Sequence, residues 1–200
     1  MASTFLDRIY AAETDDERRQ IYTEWAASYD EEVSVAGYVT PERLANALSD
    51  HADKTTPILD FGCGTGLSGL ALKAAGFAQI DGTDISEEML AKAREKAIYR
   101  SLSHIAPTDP IPSGYSTICA SGVVSAGAAP PSTLGDLLKA LPQGGHLGLS
   151  YNDHTLKDPA YTGALNDWID CGATRLLFRE YGDHLPGIGL KSTVYVLEKA

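Results

Sequence analysis

Three glycines on alternate positions, Gly62, Gly64 and Gly66, have the spacing that most clearly predicts chemistry in this sequence. They follow a short apolar run at 58–61 and precede an apolar pattern of helical period, which predicts a strand, a tight loop and a helix. Glycine permits positive φ and lets a ligand approach the main chain without meeting a Cβ atom. Because the start of a helix offers unpaired N–H groups to an anion, this segment is typical of a nucleotide-binding turn.

Two carboxylates narrow the choice of nucleotide. Asp60 lies just before the glycines, and Asp84 ends the next predicted strand. A dehydrogenase fingerprint needs G-x-G-x-x-G, but here the third glycine, Gly66, comes one residue early. An acid beside the loop, in a chain of net charge −11, disfavours a pyrophosphate and favours a ligand with positive charge.

S-adenosylmethionine fits these requirements, because it carries an ammonium and a sulfonium. We predict that its carboxylate uses the helix start after Gly66 and that its amino group lies near Asp60. We expect its ribose hydroxyls to donate to Asp84, as in dinucleotide-binding sheets.

The surrounding segments alternate between predicted strands and helices, which predicts a parallel sheet with helices on both faces. The last two strands have no helix between them and therefore predict an antiparallel pair at the sheet edge. The expected fold is α/β, a three-layer sandwich with a mostly parallel seven-stranded sheet and the last strand antiparallel at the edge. The predicted strands are 58–60, 78–83 with Asp84 at its end, 101–105, 116–120, 146–150, 174–181 and 192–198.

The N-terminal segment is predicted to be helical, with a short helix over residues 3 to 12 and a longer one after it. The longer helix carries a stripe of apolar residues four positions apart, namely Ile21, Trp25, Tyr29 and Val33. The stripe is as compatible with core packing as with binding, but a Tyr hydroxyl beside Asp30 suits a cationic ligand. We expect one domain over 1–200, with 1–56 as a helical lid.

Composition argues against several classes of protein. With 27 acidic and 16 basic residues there is no basic stripe for a nucleic acid to follow. Three cysteines without a C-x-x-C pair favour neither a disulfide framework nor a zinc site. No N-terminal targeting segment and no apolar run of membrane-spanning length is present, so we expect a cytoplasmic protein, monomeric or homodimeric, without membrane partners.

The segments 58–69 and 80–89 resemble the first two motifs of class I S-adenosylmethionine-dependent methyltransferases. The order of predicted elements resembles that fold over nearly the whole chain. The N-terminal spacing of Trp25, Tyr29-Asp30 and Tyr38, together with 97–99, is similar to the small methyltransferase-like proteins of the Williams–Beuren region type.

This resemblance implies that Tyr29 closes over the methionine end of the cofactor and that Asp84 with Ile85 holds the ribose and one adenine face. The cofactor-binding residues expected in full are Tyr29, Asp60, Gly62, Cys63, Gly64, Thr65, Gly66, Asp84, Ile85, Met89, Ala106 and Ser121. The family often places an Asp after the third strand for the adenine amino group. Here Thr108, Asp109 or the backbone of Ala106 would substitute.

The segment after the fourth strand, 121–124, reads Ser-Gly-Val-Val. It lacks the Asn/Asp-Pro-Pro-aromatic motif of enzymes that methylate bases or protein amines, so that subclass is disfavoured. A metal-assisted catechol-type site would need a carboxylate where Ser121 stands, so we expect no metal, although Asp153 fits the second position.

Methyl transfer from a sulfonium depends mainly on alignment and desolvation, and a base is optional. His154 is the predicted base, with a surface loop histidine as the alternative interpretation. His104 and His146 are weaker candidates in or beside strands, and His184 lies in a turn-rich segment. Short insertions favour a small-molecule acceptor. The alternatives are a cofactor-binding protein without turnover and an NAD-type oxidoreductase.

Overall fold

The computed structural model describes residues 5, 8, 9, 12 and 14–200. Its helices are α1 (Asp15–Trp25), α2 (Tyr29–Val35), α3 (Thr40–Ser49), α4 (Leu67–Ala74), α5 (Glu87–Glu95), α6 (Ser132–Ala140), α7 (Asp153–Lys157) and α8 (Pro159–Asp170). Its strands are β1 (Ile58–Phe61), β2 (Ile80–Asp84), β3 (Ser101–His104), β4 (Thr117–Ala120), β5 (His146–Asn152), β6 (Thr174–Leu185) and β7 (Leu190–Lys199). The predicted alternation of strands and helices is confirmed from β1 to β3 and from β4 to β5, and β3 is joined to β4 by a loop, described over 105–116, without a helix.

The seven strands form one sheet in the order β3-β2-β1-β4-β5-β7-β6. The first five strands are parallel, and β7 runs antiparallel to both β5 and β6. The predicted fold class is therefore confirmed. The chain extends the sheet from β1 in both directions, towards β2 and towards β4, so a crevice opens at the carboxyl ends of β1 and β4.

One detail of the antiparallel pair differs from the expectation. The outermost strand is β6, while the last strand, β7, lies between β5 and β6. The burial of the two strands gives the reason: residues 192–197 of β7 are all buried, whereas residues 175–183 of β6 are all exposed or only partly buried. The more apolar strand takes the inner place, because there both of its faces are covered.

The aromatic stripe spans two helices, so the prediction of one continuous helix is wrong. Helix α1 ends at Trp25, a turn follows, and α2 begins at Tyr29. Ser28 closes the turn through its N–H, which donates to the carbonyl of Trp25 at 3.0 Å, and its hydroxyl donates to Glu32 at 2.6 Å. The stripe still packs together, with the rings of Trp25 and Tyr29 4.7 Å apart. The helix predicted over 3–12 falls largely outside the described residues.

Side chains alternate between the two faces of β1, and this alternation determines which of them lie beneath the glycine loop. Leu59 packs in the core beneath α6 and α8, whereas Ile58 packs in the core beneath α3 and α4. Side chains two residues apart point to the same face of a strand. Asp60 therefore shares the face of Ile58 and points under α4, the helix that follows the glycine loop.

Candidate cofactor site

The glycine loop between β1 and α4 has the backbone that its sequence predicts. Gly62, Gly64 and Gly66 have φ values of 67°, 54° and 95°. A Cβ atom on Gly62 would lie 2.4 Å from a methyl group of Val123, while a Cβ on Gly64 would meet nothing within 4 Å. Gly62 is thus required by packing, and Gly64 borders open space into which a ligand can come close to the main chain.

Asp84 lies at the centre of the polar contacts around this loop. Its Oδ2 accepts the N–H of Gly64 at 2.8 Å, and its Oδ1 accepts the N–H of Ser86 at 2.9 Å. Burial raises the pKa of Asp84 above its ordinary value, against the opposing effect of these backbone hydrogen bonds. Each carboxylate oxygen has a second lone pair. Asp84 thus joins the loop to the start of α5 and retains capacity for the ribose hydroxyls that the sequence predicts there.

Asp60 supports the loop from beneath and is fully buried. Its Oδ2 accepts hydrogen bonds from the hydroxyls of Ser68 and Tyr99, both at 2.7 Å. Burial raises the pKa of Asp60 to about 6, although both hydrogen bonds act in the opposite direction. Its Oδ1 is buried and has no hydrogen-bond partner. The contact between Asp60 and the cofactor amino group stays a prediction.

Tyr99 was not expected to take part in the site, yet it fills the space behind the loop. Its ring approaches the backbone so closely that a Cβ atom on Gly69 would lie 2.3 Å from the phenol oxygen. A Cβ on Gly82 would lie 2.9 Å from the same ring. Burial, followed by the charge of Asp60, raises the pKa of Tyr99 above its ordinary value. The glycines at 69 and 82 were the sequence signal for this close approach.

A second unexpected contact joins α2 to the loop. The hydroxyl of Thr65 donates to Oδ1 of Asp30 at 2.5 Å, and Lys96 donates to Oδ2 of Asp30 at 2.6 Å. The same ammonium group donates to the carbonyl of Thr65 at 2.7 Å. Asp30 and Lys96 are far apart in sequence, so no local pattern indicated this pairing.

The other predicted cofactor residues differ in how they are placed. The Cys63 N–H donates to the carbonyl of Thr83 at 2.9 Å, and its buried thiol points inward. Ile85 is 36% exposed directly after β2, whereas Met89 is buried within α5. The Ala106 N–H is occupied by a hydrogen bond to Asp109 at 2.7 Å.

The side chains after β5 and at the end of β6 form the other end of the crevice. His154 is exposed in the first turn of α7. The sequence around His184 predicted a turn, but His184 lies in β6. It is 8% exposed, and its Nδ1 is 2.8 Å from the hydroxyl oxygen of Thr40. Burial lowers the pKa of His184 to about 4. Asp153 accepts hydrogen bonds from the Tyr181 hydroxyl and the Lys191 N–H.

Comparison with known proteins identifies the family. A family profile described as a methyltransferase domain matches residues 59–147, the segment from β1 to β5 that contains the glycine loop and Asp84. Residues 59–147 thus match a methyltransferase domain, and the chain is similar to class I S-adenosylmethionine-dependent methyltransferases. The family expectation from the glycine motif is thereby confirmed, and S-adenosylmethionine is the cofactor of this family.

One curated relative of this methyltransferase is human methyltransferase-like protein 27, which is 32% identical over 135 residues. The match covers 64% of this chain and 55% of the human protein, so the chain spans about half the length of that relative.

Solved structures share the fold. The [4+2]-cyclase SpnF has a TM-score of 0.67 at 16% identity, covering 91% of this chain and 96% of that one. A TehB-like methyltransferase from Corynebacterium glutamicum has a TM-score of 0.63 at 19% identity, covering 90% and 100%. Magnesium protoporphyrin IX methyltransferase from Synechocystis, solved with bound cofactor, has a TM-score of 0.59 at 17% identity, covering 98% and 90%.

The residues present fit S-adenosylmethionine. Among the described residues, a few buried side-chain oxygens have no hydrogen-bond partner, and two of them, in Thr83 and Ser121, lie at or just past the carboxyl ends of β2 and β4. Buried polar groups without partners are rare in proteins, so the hydroxyls of Thr83 and Ser121 and the Oδ1 of Asp60 at the same edge of the sheet are able to take a bound group. Within residues 14–200 and the few described before them, no helix has the length and apolar composition of a membrane span.

Proposed function

We propose that this methyltransferase transfers the methyl group of S-adenosylmethionine to a small-molecule acceptor. The observation that carries the proposal is the hydrogen bond from the Gly64 N–H to Asp84, next to a position where a Cβ atom would meet nothing. This contact brings the loop and the ribose-binding acid together beside space for a ligand. Ile85 and Ser121 complete the cofactor side of the crevice in this proposal.

A groove along α4, the helix that follows the loop, has room for a small molecule, although neither the loop glycines nor His154 line it. It has a volume of about 480 Å³, which lies in the range of small-molecule sites. It runs between α2, α3 and α4, and its walls are mostly apolar with the two acids Asp30 and Glu42. An apolar groove with acidic groups suits a neutral or cationic acceptor, in keeping with the net charge of −11. We further propose that residues 1–56 act as the lid of this site.

The chain's own residues would mainly align and desolvate the reactants. When bound, the cofactor supplies a methyl group on a sulfonium that leaves as a neutral thioether. An acceptor hydroxyl or protonated amine must lose its proton, and we assign that proton to His154, which lies in α7 directly after β5. The buried His184 is neutral near pH 7, since its pKa is about 4. We place it behind the acceptor site.

A second candidate function is cofactor binding without methyl transfer. It is favoured by one comparison, since a cyclase shares this fold over 91% of the chain. Fold alone does not determine chemistry. An NAD-type oxidoreductase is less well supported, because the third glycine of its fingerprint is displaced.

Incubation with methyl-labelled S-adenosylmethionine and a metabolite extract tests the proposal. We expect label in a small organic product with the wild-type protein and none with Asp84→Ala, which serves as the control for cofactor binding. Label in protein or nucleic acid of an unfractionated extract would contradict the acceptor class. If the protein binds cofactor tightly but labels nothing, the binding function is correct instead.

A further inference from the structure

Tyr38 lies in the short connection between α2 and α3, and the local sequence fixes its backbone. Helix α2 ends at Val35, and Gly37 then turns the chain with a φ of 75°. The Gly37 N–H donates to the carbonyl of Ser34 at 3.0 Å. The Tyr38 N–H donates to the carbonyl of Val33, also at 3.0 Å. These two hydrogen bonds form a Schellman motif, in which a glycine with positive φ ends the helix, so the end of α2 sets the backbone position of Tyr38.

Contacts with β6 and with the turn after it hold Tyr38 in place. The Val39 N–H donates to the carbonyl of His184 at 3.1 Å. The Gly187 N–H donates to the carbonyl of Ala36 at 2.9 Å. The imidazole ring of His184 packs edge-on to the phenol ring of Tyr38, with the ring centroids 5.2 Å apart. Both the backbone around Tyr38 and its ring are therefore positioned before a ligand binds.

The hydroxyl group of Tyr38 lies beside the segment that follows β4. A Cβ atom on Gly122 would lie 3.2 Å from the Tyr38 hydroxyl oxygen. Ser121 precedes Gly122, and its buried hydroxyl oxygen has no hydrogen-bond partner. Val123 follows, and one of its methyl groups would lie 2.4 Å from a Cβ atom on Gly62. The Tyr38 hydroxyl therefore lies close to the place where the segment after β4 meets the glycine loop, next to the site proposed for the cofactor.

The same side chain lines the groove proposed for the acceptor. Tyr38 shares the wall of this groove with apolar residues, among them Val33, Pro41 and Leu67. From the groove its side chain extends to Gly122, at the carboxyl end of β4. Methyl transfer requires that the acceptor atom and the methyl group are aligned. A side chain that borders both the groove and the cofactor site is placed to align them.

We propose that the Tyr38 hydroxyl binds the acceptor and aligns its reacting atom with the methyl group of the cofactor. A phenol hydroxyl both donates and accepts a hydrogen bond, so it suits an acceptor that carries a hydroxyl or an amine. Because Tyr38 is already held by α2 and β6, little conformational freedom is lost when the acceptor binds. The hydroxyl takes no proton in the reaction, since that role is assigned to His154. The inference rests on the proposed function and adds to it a residue that recognises the acceptor.

Tyr38→Phe tests this contact, because it removes the hydroxyl and keeps the ring that packs on His184. The wild type and the variant are incubated with methyl-labelled S-adenosylmethionine and serial dilutions of a metabolite extract, and the initial rate of labelling of the small product is measured. The maximal rate should fall about 10-fold in the variant, as expected for the loss of one hydrogen bond that aligns the acceptor. In calorimetric titrations the affinity for S-adenosylhomocysteine should remain that of the wild type, because the hydroxyl binds the acceptor and not the cofactor.

Tyr115→Phe is the matched control, because it removes a tyrosine hydroxyl at the opposite edge of the sheet. The Tyr115 hydroxyl donates to Asp81 at 2.9 Å, near the amino ends of β2 and β4. This variant should change neither the labelling rate nor the affinity for S-adenosylhomocysteine.

A maximal rate in Tyr38→Phe equal to that of the wild type would overturn the inference. Losses of the same size in the rate and in the affinity for S-adenosylhomocysteine would also overturn it, because they would mean that the hydroxyl only supports the lid. A wild-type protein that binds S-adenosylhomocysteine and labels no product would overturn the proposed function itself, and the inference with it.

Discussion

The two halves of the crevice are built from different kinds of contact. In the cofactor half, at the ends of β1 and β2, Asp84 accepts hydrogen bonds from backbone N–H groups of the loop and of α5. In the outer half, at the ends of β5 and β6 and the start of β7, hydrogen bonds between side chains of distant segments are added, such as those among Thr40, His184 and Ser192. One backbone group, the Lys191 N–H, also donates there, to Asp153. Backbone contacts require a particular chain geometry, and the residues that permit this geometry form a recognisable sequence motif. Side-chain contacts between distant segments can be made by many different residue pairs and form no such motif. The first half can be assigned to a family, and the second half is where this protein would differ from its relatives.

Removing one acid from each half is the strongest test of whether the two halves act separately. Asp84→Ala should abolish measurable binding of S-adenosylhomocysteine, a loss of more than about 100-fold, because it removes the ribose acceptor and the partner of the Gly64 N–H. Asp153→Ala in the outer half should leave that affinity unchanged. Titration calorimetry measures both, and equal losses would mean that the two halves do not act separately.

Replacing the proposed base, His154, should give the next largest effect, on the rate of methyl transfer. His154→Gln should lower the rate of methyl transfer about 100-fold, since general base catalysis is worth that much or more. The affinity for S-adenosylhomocysteine should stay the same, because His154 lies in α7, outside the cofactor half. His51→Gln, an exposed histidine after α3, is the control. A rate equal to that of wild type would leave alignment alone as the source of catalysis.

A fall in pH should change the contributions of Asp60 and His184 to the free energy of unfolding in opposite directions. The pKa of Asp60 is raised from 3.8 to about 6, so its contribution to stability is full below pH 3.8 and is lost as the pH rises through 6. The pKa of His184 is lowered from 6.5 to about 4, so its contribution is full above pH 6.5 and is lost as the pH falls through 4. Each effect is roughly 3 kcal/mol.

Chemical denaturation from pH 4 to 7 measures these contributions. In Asp60→Asn the remaining histidine should make the protein less stable as the pH falls. In His184→Gln the remaining aspartate should make it more stable as the pH falls. Parallel pH profiles for the two variants would contradict the assigned protonation of both groups.

The smallest predicted effect is a difference in stability between alanine variants of two loop glycines. Alanine at either Gly62 or Gly64 must adopt positive φ, which costs about 1–2 kcal/mol. Gly62→Ala also meets Val123 at 2.4 Å and should lose about 2 kcal/mol more than Gly64→Ala. The added Val123→Ala change should recover that extra loss. Thermal unfolding provides the values, and equal losses for the two alanine variants would show that Val123 moves aside freely.

The parts predicted from sequence are those with local signals. The fold class and the glycine loop follow from spacing within a few residues, and the structure has both. The position of Asp60 under the loop follows from the alternation of side chains along β1, which is also a local signal.

The contacts that sequence did not reveal join distant segments. Thr65 binds Asp30, and His184 binds Thr40 across 144 positions. Only the folded sheet brings such residues together, because side-chain chemistry contains no information about partners so far away. The break between α1 and α2 was also missed, since an apolar stripe continues with helical spacing through the turn at Ser28.

The central claim is that the loop and Asp84 form a site for an adenosyl cofactor. Calorimetric titration of the wild-type protein with S-adenosylhomocysteine and, separately, with NADH tests it most directly. We predict saturable binding of S-adenosylhomocysteine at a single site and no heat from NADH. Binding of NADH without binding of S-adenosylhomocysteine would contradict the claim.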